Sequence, residues 1–302
     1  MKCCVVDGIL LLDKPVGISS NAALQEARRL LAAAKAGHAG TLDPLASGLL
    51  PLLFGEATRF ARFGLDSDKS YLASVRLGVR TATGDAEGEV LERRVVALDD
   101  AQVAAALARF RGEITQVPPM YSALKREGRP LYELARAGKS VEREARQVTI
   151  HQLALLERNE DLLRLCVRCS KGTYIRQLAA DLGAVLGTGA HLEALRRSGS
   201  GAFTIAEAVS LERFRAMDEA DRQACLRPAD SMLAMLPVAS LGAEEALRFT
   251  QGQAVPAAME PAQACRVLGH DGALLGVGEV GLDRRLRPLR LLSQRARQGA
   301  TG

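Results

Sequence analysis

The sequence predicts an α+β protein with a large mixed domain followed by a small β-rich one. First, the 302-residue chain is 48% hydrophobic, which is enough to bury one sizeable core and a smaller one. Second, segments with the two-residue alternation of strands are interspersed with segments that have helical spacing. Third, after Pro228 and Pro237 the chain turns to short, glycine-punctuated apolar segments. We therefore place a domain boundary near Pro237, with domains at 1–236 and 237–302.

The N-terminal segment is predicted to form a strand and then a helix. The apolar run 8–12 is interrupted by the segment 13–17, after which Ser19, Ser20 or Asn21 can cap a helix. The apolar positions of this helix form one stripe, made of Leu24, Ala27, Leu30, Leu31 and Ala34. Gly37 is placed to end the helix, so we expect the helix C-terminus to lead directly into the next segment.

That next segment, residues 37–48, is predicted to be a loop that presents Asp43. Pro44 fixes its own φ and keeps Asp43 out of the helical region, so the carboxylate is held on stiff backbone. An apolar run at 49–54 follows and would anchor the loop against the core. Rigid scaffolds usually present reactive groups in this way, but an isolated Asp-Pro is more often only a turn. At this point both interpretations stay open.

The next 60 residues are predicted to contain a short helix, two strands and a longer helix. The short helix covers 55–63, and the first strand has one face made of Tyr71, Ala73, Val75, Leu77 and Val79. Residues 81–88 are rich in Gly, Thr and Asp and predict a loop, and 89–96 predict the second strand. Asp99 and Gln102 give a capping pattern for an alanine-rich helix that stops at Gly112.

The middle of the chain is predicted to leave the core and then return to it as two strands. Prolines at 118 and 119 interrupt regular structure, and we expect a helix near 131–137 in the excursion. Strands follow at 146–156 and 162–170. The second strand has one apolar face, made of Leu163, Leu165, Val167 and Cys169.

A helix capped by Thr173 is predicted to run to about residue 186, and Arg176 lies in its first turn. A cation there opposes the helix dipole. Its placement makes more sense if an anion, such as the Asp43 carboxylate or a phosphate, lies opposite. An ordinary surface arginine is the alternative. Beyond Pro237 we predict a helix at 243–250, apolar segments at 265–268 and 274–280, and a basic end.

Charge favours a polyanionic partner. Lys plus Arg exceed Asp plus Glu by 40 − 35 = 5, and the isoelectric point is about 9.0. Two stretches are strongly basic: 121–147 holds seven basic residues against four acidic ones, and 284–297 holds six arginines and no acid. They suggest phosphate contacts, with a solvated charged face as the alternative.

The six cysteines are scattered, and we interpret them as reduced thiols of a cytoplasmic protein. We find neither a secretory segment nor an apolar stretch of the ~18 residues that a membrane span needs. Cys166 and Cys169 have zinc-like spacing, but in an alternating strand their thiols would point to opposite faces. We therefore predict no metal site.

Five sequence blocks, in order over about 175 residues, resemble the TruB family of pseudouridine synthases. The main block is His38-Ala39-Gly40-Thr41-Leu42-Asp43-Pro44-Leu45-Ala46-Ser47-Gly48. The others read Leu-Leu-Asp-Lys-Pro-Val-Gly-Ile-Ser-Ser at 11–20, Asp-Lys-Ser-Tyr at 68–71, Met-Tyr-Ser-Ala-Leu-Lys at 120–125, and Ser-Lys-Gly-Thr-Tyr-Ile-Arg at 170–176. The resemblance implies the pseudouridine-synthase fold: a mixed, mostly antiparallel central sheet flanked by helices, an RNA-gripping insertion at about 119–147, and a C-terminal PUA-like RNA-binding domain.

The resemblance also implies a reaction and its residues. The expected activity is isomerisation of a uridine in the T-loop of tRNA to pseudouridine by base flipping, without metal or cofactor, in a monomer. Asp43 is expected to be the nucleophile, Arg176 its ion-pair partner, and Tyr71 the aromatic that stacks on the base. The RNA contacts are assigned to His38, Tyr174, Leu195, Lys14, Lys125 and Arg126.

Two other functions remain open. A tRNA-folding chaperone would use the basic surfaces and the C-terminal module, with Asp43 incidental. A guide-dependent pseudouridine synthase would work inside a ribonucleoprotein. The chain lacks long basic tails, and this favours a stand-alone enzyme.

Overall fold

A large mixed sheet and a smaller C-terminal sheet organise the chain in the computed structural model, which describes residues 6–122, 125–126, 128–131, 133 and 141–293. The strands in these residues are β1 (Gly8–Lys14), β2 (Ala36–His38), β3 (Ala46–Phe54), β4 (Lys69–Leu77), β5 (Val79–Thr81), β6 (Val90–Arg93), β7 (Gly112–Gln116), β8 (Lys125–Arg126), β9 (Arg129–Pro130), β10 (Arg146–Asn159), β11 (Leu162–Cys169), β12 (Ala190–Ser200), β13 (Phe203–Thr204), β14 (Val209–Ser210), β15 (Leu226–Arg227), β16 (Val238–Ser240), β17 (Val255–Pro256), β18 (Ala262–Leu268), β19 (Leu274–Val280) and β20 (Arg285–Leu291). The α-helices are α1 (Ser20–Leu30), α2 (Ala61–Asp66), α3 (Asp100–Ala108), α4 (Ile175–Val185), α5 (Leu211–Ala216), α6 (Glu219–Ala224) and α7 (Ala243–Thr250). Short 3-10 helices lie at Gly55–Phe60, Ile205–Glu207 and Ala229–Leu233.

The large sheet is mixed and mostly antiparallel, as predicted. Its strand order is β14-β1-β3-β12-β4-β11-β10-β7, with β2 paired to β3. Two pairings, β1 with β14 and β3 with β12, are parallel. Helices α1, α3, α4 and α5 contribute Leu24, Leu107, Leu178 and Phe214 to the same buried core as the sheet. The α+β class with flanking helices is therefore confirmed.

Local sequence signals place several elements where they were expected. Tyr71, Ala73, Val75 and Leu77 form the buried face of β4, because side chains two residues apart point to the same side of a strand. The Ser19 side chain accepts a hydrogen bond from the Ala22 N–H and caps α1.

The predicted capping box of α3 is present as well. Asp99 accepts from the backbone of Gln102, and the Gln102 side chain accepts from the backbone of Asp99. The predicted face of β11 is also buried.

Three local predictions were wrong. Helix α1 ends at Leu30, and the strand β2 stands between it and the Asp43 segment, because residues 36–38 pair with the buried strand β3. Of the predicted loop 37–48, only residues 39–45, between β2 and β3, lie outside strands. Thr173 does not cap α4, since its hydroxyl donates to the Ser170 carbonyl and the N-cap is Tyr174. Helix α3 ends at Ala108, and Gly112 begins β7.

The C-terminal part has its own sheet, with strand order β16-β18-β19-β20-β17. Its core is built around Phe249 of α7, Val255, Cys265, Val267 and Leu286. The predicted helix at 243–250 is present, the apolar segment at 274–280 forms β19, and residues 285–291 of the expected basic end form β20. The part of that basic end beyond residue 293 lies outside the described residues. A β-rich C-terminal domain is thus confirmed, whereas the boundary near Pro237 and the PUA-like character stay predictions.

Much of the expected RNA-gripping insertion lies outside the described residues, including most of the helix expected near 131–137. Within it, β8 pairs with β9 in antiparallel fashion. The side chains of Lys125 and Arg126 lie outside the described part of the chain. Among the described helices, none is long and apolar enough to cross a membrane.

Candidate active site

Asp43 lies on a short, tightly fixed loop between β2 and β3. The Ser20 hydroxyl, at the start of α1, accepts from the Leu42 N–H at 2.7 Å and donates to the Leu42 carbonyl at 3.0 Å. The Pro44 carbonyl accepts from the Gly17 N–H at 2.8 Å. These bonds fix the residues on both sides of Asp43, so the position of its carboxylate is set by α1 and by the turn that follows β1.

The Asp43 carboxylate faces a cavity of about 350 Å³, a size that suits a small organic ligand. The wall of this cavity also includes Tyr71 of β4, Leu195 of β12, and Tyr174 and Arg176 at the start of α4. The structure therefore brings together residues that lie more than 150 positions apart in the chain. The side chain of Asp43 is 42% exposed, so the carboxylate is accessible from the cavity.

Arg176 joins Asp43 to a second carboxylate. Its Nε lies 3.0 Å from Oδ2 of Asp43, and its Nη1 lies 3.3 Å from Oδ2 of Asp85. The guanidinium also donates to the carbonyls of Thr83, at 3.2 Å, and Tyr121, at 2.5 Å. Since only 6% of the Arg176 side chain is exposed, its charge must be balanced by these partners.

Asp85 was missed by the sequence analysis, which assigned the loop 81–88 no role. Asp85 is buried and accepts hydrogen bonds from the Thr83 hydroxyl and the Glu87 N–H. The backbone of this loop is held by β12, where the Leu192 carbonyl accepts from the Ala86 N–H. The buried acid has no sequence signal of its own, because loops rich in Gly, Thr and Asp are usually exposed turns.

Opposing effects act on the ionisation of Asp43. Burial raises the pKa of its carboxyl above the ordinary value. The Arg176 guanidinium opposes this rise, whereas the Asp85 carboxylate adds to it. The net result is a raised pKa, so Asp43 takes up a proton at a higher pH than a free aspartate does.

Tyr71 lies beside Arg197, which the sequence analysis also missed. The two residues face each other in the pairing of β4 with β12, and the Arg197 charge acts on the Tyr71 hydroxyl, where burial raises the pKa and Arg197 opposes that rise. Arg197 is 1% exposed and also donates to the carbonyls of Leu49, at 2.6 Å, and Gly40, at 3.2 Å. A β-carbon at Gly48 would lie 2.3 Å from the Arg197 carbonyl oxygen, so this close approach needs glycine.

Tyr174 is held at the cavity by β7. Its N–H donates to the Gln116 side chain at 2.8 Å, and its carbonyl accepts from that side chain at 3.1 Å. The Arg146 guanidinium lies over its ring, 4.8 Å from the centroid. Leu195 lies on the same cavity wall, in register with Ala46 of β3 and Ala73 of β4.

The other predicted RNA contacts lie elsewhere. Lys14 is fully buried, and its amine donates to the carbonyls of Pro15 and Ile18 at 2.8 and 2.7 Å. The amine thus holds the turn after β1, and the RNA contact expected of Lys14 stays a prediction. His38 is partly buried in β2 and its Nδ1 has no hydrogen-bond partner among the described residues. Burial lowers the pKa of His38.

Buried cations surround the carboxylate. Burial lowers the pKa of Lys14 and that of Lys69 to about 8. Lys69 lines the cavity, and its amine donates to the carbonyls of Gly64 and Ser67. Within the described part of the chain, no three His, Cys, Asp or Glu residues are grouped in a way that could hold a metal ion.

Comparisons with known proteins identify the family of this chain. The family model described as "TruB family pseudouridylate synthase (N terminal domain)" matches residues 28–175. The chain is 58% identical over 278 residues to "tRNA pseudouridine synthase B" from Burkholderia lata, covering 90% of this chain and 86% of that protein. The chain belongs to the TruB family of pseudouridine synthases. As a TruB family member it is an isomerase that acts on uridine.

Further matches extend over the rest of the chain. Residues 176–234 match "tRNA pseudouridylate synthase B C-terminal domain", and residues 237–292 match "Pseudouridine synthase II TruB, C-terminal". A TruB family relative from Ectopseudomonas mendocina, also named "tRNA pseudouridine synthase B", is 54% identical over 292 residues and covers 95% of both chains.

Solved structures support the pseudouridine-synthase fold. A chain in "Crystal Structure of a Cbf5-Nop10-Gar1 Complex" aligns with a TM-score of 0.74 and 24% identity, covering 96% of this chain and 85% of that one. A chain in "Structure of H/ACA RNP bound to a substrate RNA containing 2'-deoxyuridine" gives 0.73 and 22%, covering 96% and 86%. At this level of identity the likeness establishes the fold and leaves the substrate of this TruB family member to be argued from its site.

Proposed function

We propose that this enzyme converts one uridine in the T-loop of tRNA to pseudouridine, with Asp43 as the nucleophile. The observation that carries this proposal is the ion pair between Asp43 and the buried Arg176 at the wall of the cavity. The names of the close relatives support tRNA as the substrate. The cytoplasmic location and the monomeric state expected from the sequence are part of the same proposal.

The reaction needs a nucleophile but no redox partner. It breaks the bond between N1 of uracil and C1′ of ribose and forms a bond from C5 to C1′, so the product has the same atoms as the substrate. A carboxylate can divide this rearrangement into two easier steps by forming a covalent intermediate, and it must be ionised to do so. The Arg176 guanidinium favours the ionised form of Asp43. We therefore propose a reaction without metal or cofactor.

The target uridine must leave its stack to reach Asp43, at a cost of a few kcal/mol. Tyr71 and Tyr174 offer aromatic surfaces in the cavity, and Leu195 offers an apolar one, so contacts with the base can offset this cost. Tyr71 is also proposed to serve the later proton transfer from C5. His38 lies on β2 next to the loop and is proposed to fill the space that the base leaves.

The RNA outside the cavity is proposed to contact the basic segments of the chain. Lys125 and Arg126 belong to the basic stretch 121–147, and the C-terminal module ends in a stretch rich in arginine. Phosphate contacts by such residues supply affinity with little sequence preference. A folded T-loop with unstacked bases is a suitable target, since its bases can be contacted individually.

The Asp43→Asn variant tests the nucleophile. Tritium release from tRNA transcript labelled at uridine C5 should be stoichiometric at one T-loop position with wild type and absent with Asp43→Asn, while tRNA binding stays within several fold. Near-normal release by Asp43→Asn would refute the proposed role of Asp43. No release by wild type on the bare transcript would favour the guide-dependent alternative, and RNA refolding that survives Asp43→Asn would favour a chaperone function.

A further inference from the structure

We propose that Arg146 binds a phosphate group of the RNA strand that flanks the flipped uridine. Arg146 is the first residue of β10 and lies on the wall of the same cavity as Asp43. This inference rests on the proposed function, because it concerns the uridine that enters this cavity. It adds an anion-binding contact that the nucleophile and its ion pair do not provide.

The cavity wall is rich in positive charge. Within the described residues, its one acidic side chain is Asp43, and its basic side chains are Lys69, Arg146, Lys171, Arg176 and Arg197. Four of these cations have partners inside the protein. Lys69 and Arg197 donate to carbonyls, Lys171 pairs with Asp66 at 2.8 Å, and Arg176 pairs with two aspartates.

Arg146 differs from the other four. Its Nε and Nη2 are buried and have no hydrogen-bond partner among the described residues. These two nitrogens form one edge of the guanidinium. Leaving charged donors buried and unsatisfied is costly, so such an edge calls for a group that arrives from outside.

The surroundings fix the orientation of this guanidinium. One face lies over the Tyr174 ring, at 4.8 Å from the centroid. Gly172 lies beside it, and a β-carbon there would be 3.5 Å from Nη1. Gly172 also has a φ of +78°, which favours glycine. The cation is thus held in place by the loop that leads into α4.

The chemistry of the edge favours phosphate over the uracil base. Nε and Nη2 present two parallel N–H donors, and two oxygens of one phosphate match this geometry. The O2 and O4 atoms of uracil are separated by the N3–H donor, so they do not offer two adjacent acceptors. Every nucleotide that enters the cavity brings a phosphate with it.

Ser122 supplies a second donor on the same wall. It is 5% exposed, and its hydroxyl has no hydrogen-bond partner among the described residues. Its neighbour Tyr121 is held by Arg176, whose guanidinium donates to the Tyr121 carbonyl. Arg176, which pairs with Asp43, therefore also fixes the backbone next to Ser122.

A substrate in which single phosphates are made neutral tests this proposal. T-arm stem-loop RNA is prepared with a methylphosphonate either 5′ or 3′ to the target uridine, and kcat/KM is compared with that for unmodified RNA. With wild type we expect one of the two substitutions to lower kcat/KM about 10- to 100-fold, since it removes a charged hydrogen-bond partner. Arg146→Met should show a similar loss with unmodified RNA and little further loss with the neutral linkage.

If Arg146→Met and the neutral linkage together lower kcat/KM little more than either change alone, the arginine and the phosphate are in direct contact. Control variants separate this contact from a structural effect of the substitution. Arg146→Lys keeps the charge but lacks the two parallel N–H donors. Its kcat/KM with unmodified RNA should therefore lie between those of wild type and Arg146→Met, and the neutral linkage should still lower this kcat/KM in part. It also serves as the second variant if Arg146→Met folds poorly. Arg164→Met removes an exposed arginine of β11 that pairs with Glu157 and does not line the cavity, so it should behave as wild type with every substrate.

Two results would overturn the proposal. One is a wild type that is indifferent to both neutral linkages. The other is an equal loss from the neutral linkage in wild type and in both Arg146 variants. If the proposed function itself is wrong, the outcome is different: wild type would form no pseudouridine in T-arm RNA that lacks any neutral linkage. In that case the same comparison is made at the uridine that this pseudouridine synthase does modify.

Discussion

At the residue scale, Arg176 connects Asp43, the proposed nucleophile, to the rest of the protein. It holds Asp43 on one side and the buried Asp85 on the other, and it fixes two backbone carbonyls. Burial is the main reason that the pKa of Asp43 is raised; Arg176 opposes this rise and the Asp85 carboxylate adds to it. The geometry thus predicts that Asp85 influences catalysis without touching the substrate.

Asp85→Asn tests this coupling. Arg176 keeps its ion pair with Asp43, but the Thr83 hydroxyl and the Glu87 N–H then face a neutral acceptor in place of a charged one. We therefore expect the free energy of unfolding to fall by about 1–3 kcal/mol. We also expect kcat/KM to fall, since Arg176 loses a contact that orients it. Chemical denaturation and single-turnover kinetics measure the two effects. Glu157→Gln breaks an exposed pair with Arg164 and should change stability by no more than about 0.5 kcal/mol.

The pH profile of Asp85→Asn should shift in a defined direction. In its proposed role Asp43 must be ionised, so we expect activity to be lost as the pH falls through its raised pKa. The Asp85 carboxylate contributes to that rise. Asp85→Asn removes one negative neighbour, and the acidic limb of log kcat/KM against pH should move to lower pH. An acidic limb that stays in place or moves to higher pH would contradict the coupling.

At the element scale, β12 is the strand that assembles the site. It lies between β3, which follows the Asp43 loop, and β4, which carries Tyr71. It contributes Leu195 and Arg197, and its start is covered by α4. The helix approaches so closely that a β-carbon at Gly183 would lie 2.2 Å from the Ala190 nitrogen. Gly183 therefore sets the distance between the helix that carries Arg176 and the strand that carries Arg197.

Gly183→Ala should destabilise the protein although alanine is the better helix former. The gain of about 1 kcal/mol in helix propensity is outweighed by overpacking against β12, and we expect a net loss of about 1–3 kcal/mol. Thermal or chemical denaturation measures this change. Gly37→Ala is the matched control, because a β-carbon there meets nothing within 4 Å. A Gly183→Ala variant more stable than wild type would show that the helix can move away from β12 without cost.

At the scale of the whole molecule, the two sheets are joined by a small apolar cluster. Phe60 and Leu233 from the first part pack with Val277 of β19. The Ser293 N–H also donates to the Glu56 side chain at 2.8 Å. The C-terminal domain is thus docked against the 3-10 helix that follows β3, and β3 follows the Asp43 loop.

Phe60→Ala tests this docking. Phe60 is fully buried, so its truncation should lower the free energy of unfolding by about 3–5 kcal/mol. The truncation would leave a void between the large sheet's domain and the C-terminal domain. We expect the affinity for RNA to fall together with the free energy of unfolding. Leu282→Ala, at a position 93% exposed, should be within about 0.5 kcal/mol of wild type. Wild-type stability for Phe60→Ala would exclude the cluster as a stabilising contact.

The sequence determined the elements whose signals are local. The alternation in β4 and β11, the capping residues of α1 and α3, and the helix at 243–250 follow from the chemistry of neighbouring residues. The motif around Asp43 identified the family and pointed to the carboxylate, because its residue types occur in a fixed order. The same patterns misplaced the end of α1, since the pairing of β2 with β3 is a contact between distant segments.

Only the tertiary structure decided what surrounds that carboxylate. Asp85, Arg146 and Arg197 carry no distinctive local signal, and each obtains its environment from residues far away in the chain. The same holds for Lys14, which is buried and whose amine donates to the backbone of the turn after β1. The physical reason is that burial and ion pairing depend on which segments meet in space, whereas a sequence motif records only the order of its own residues.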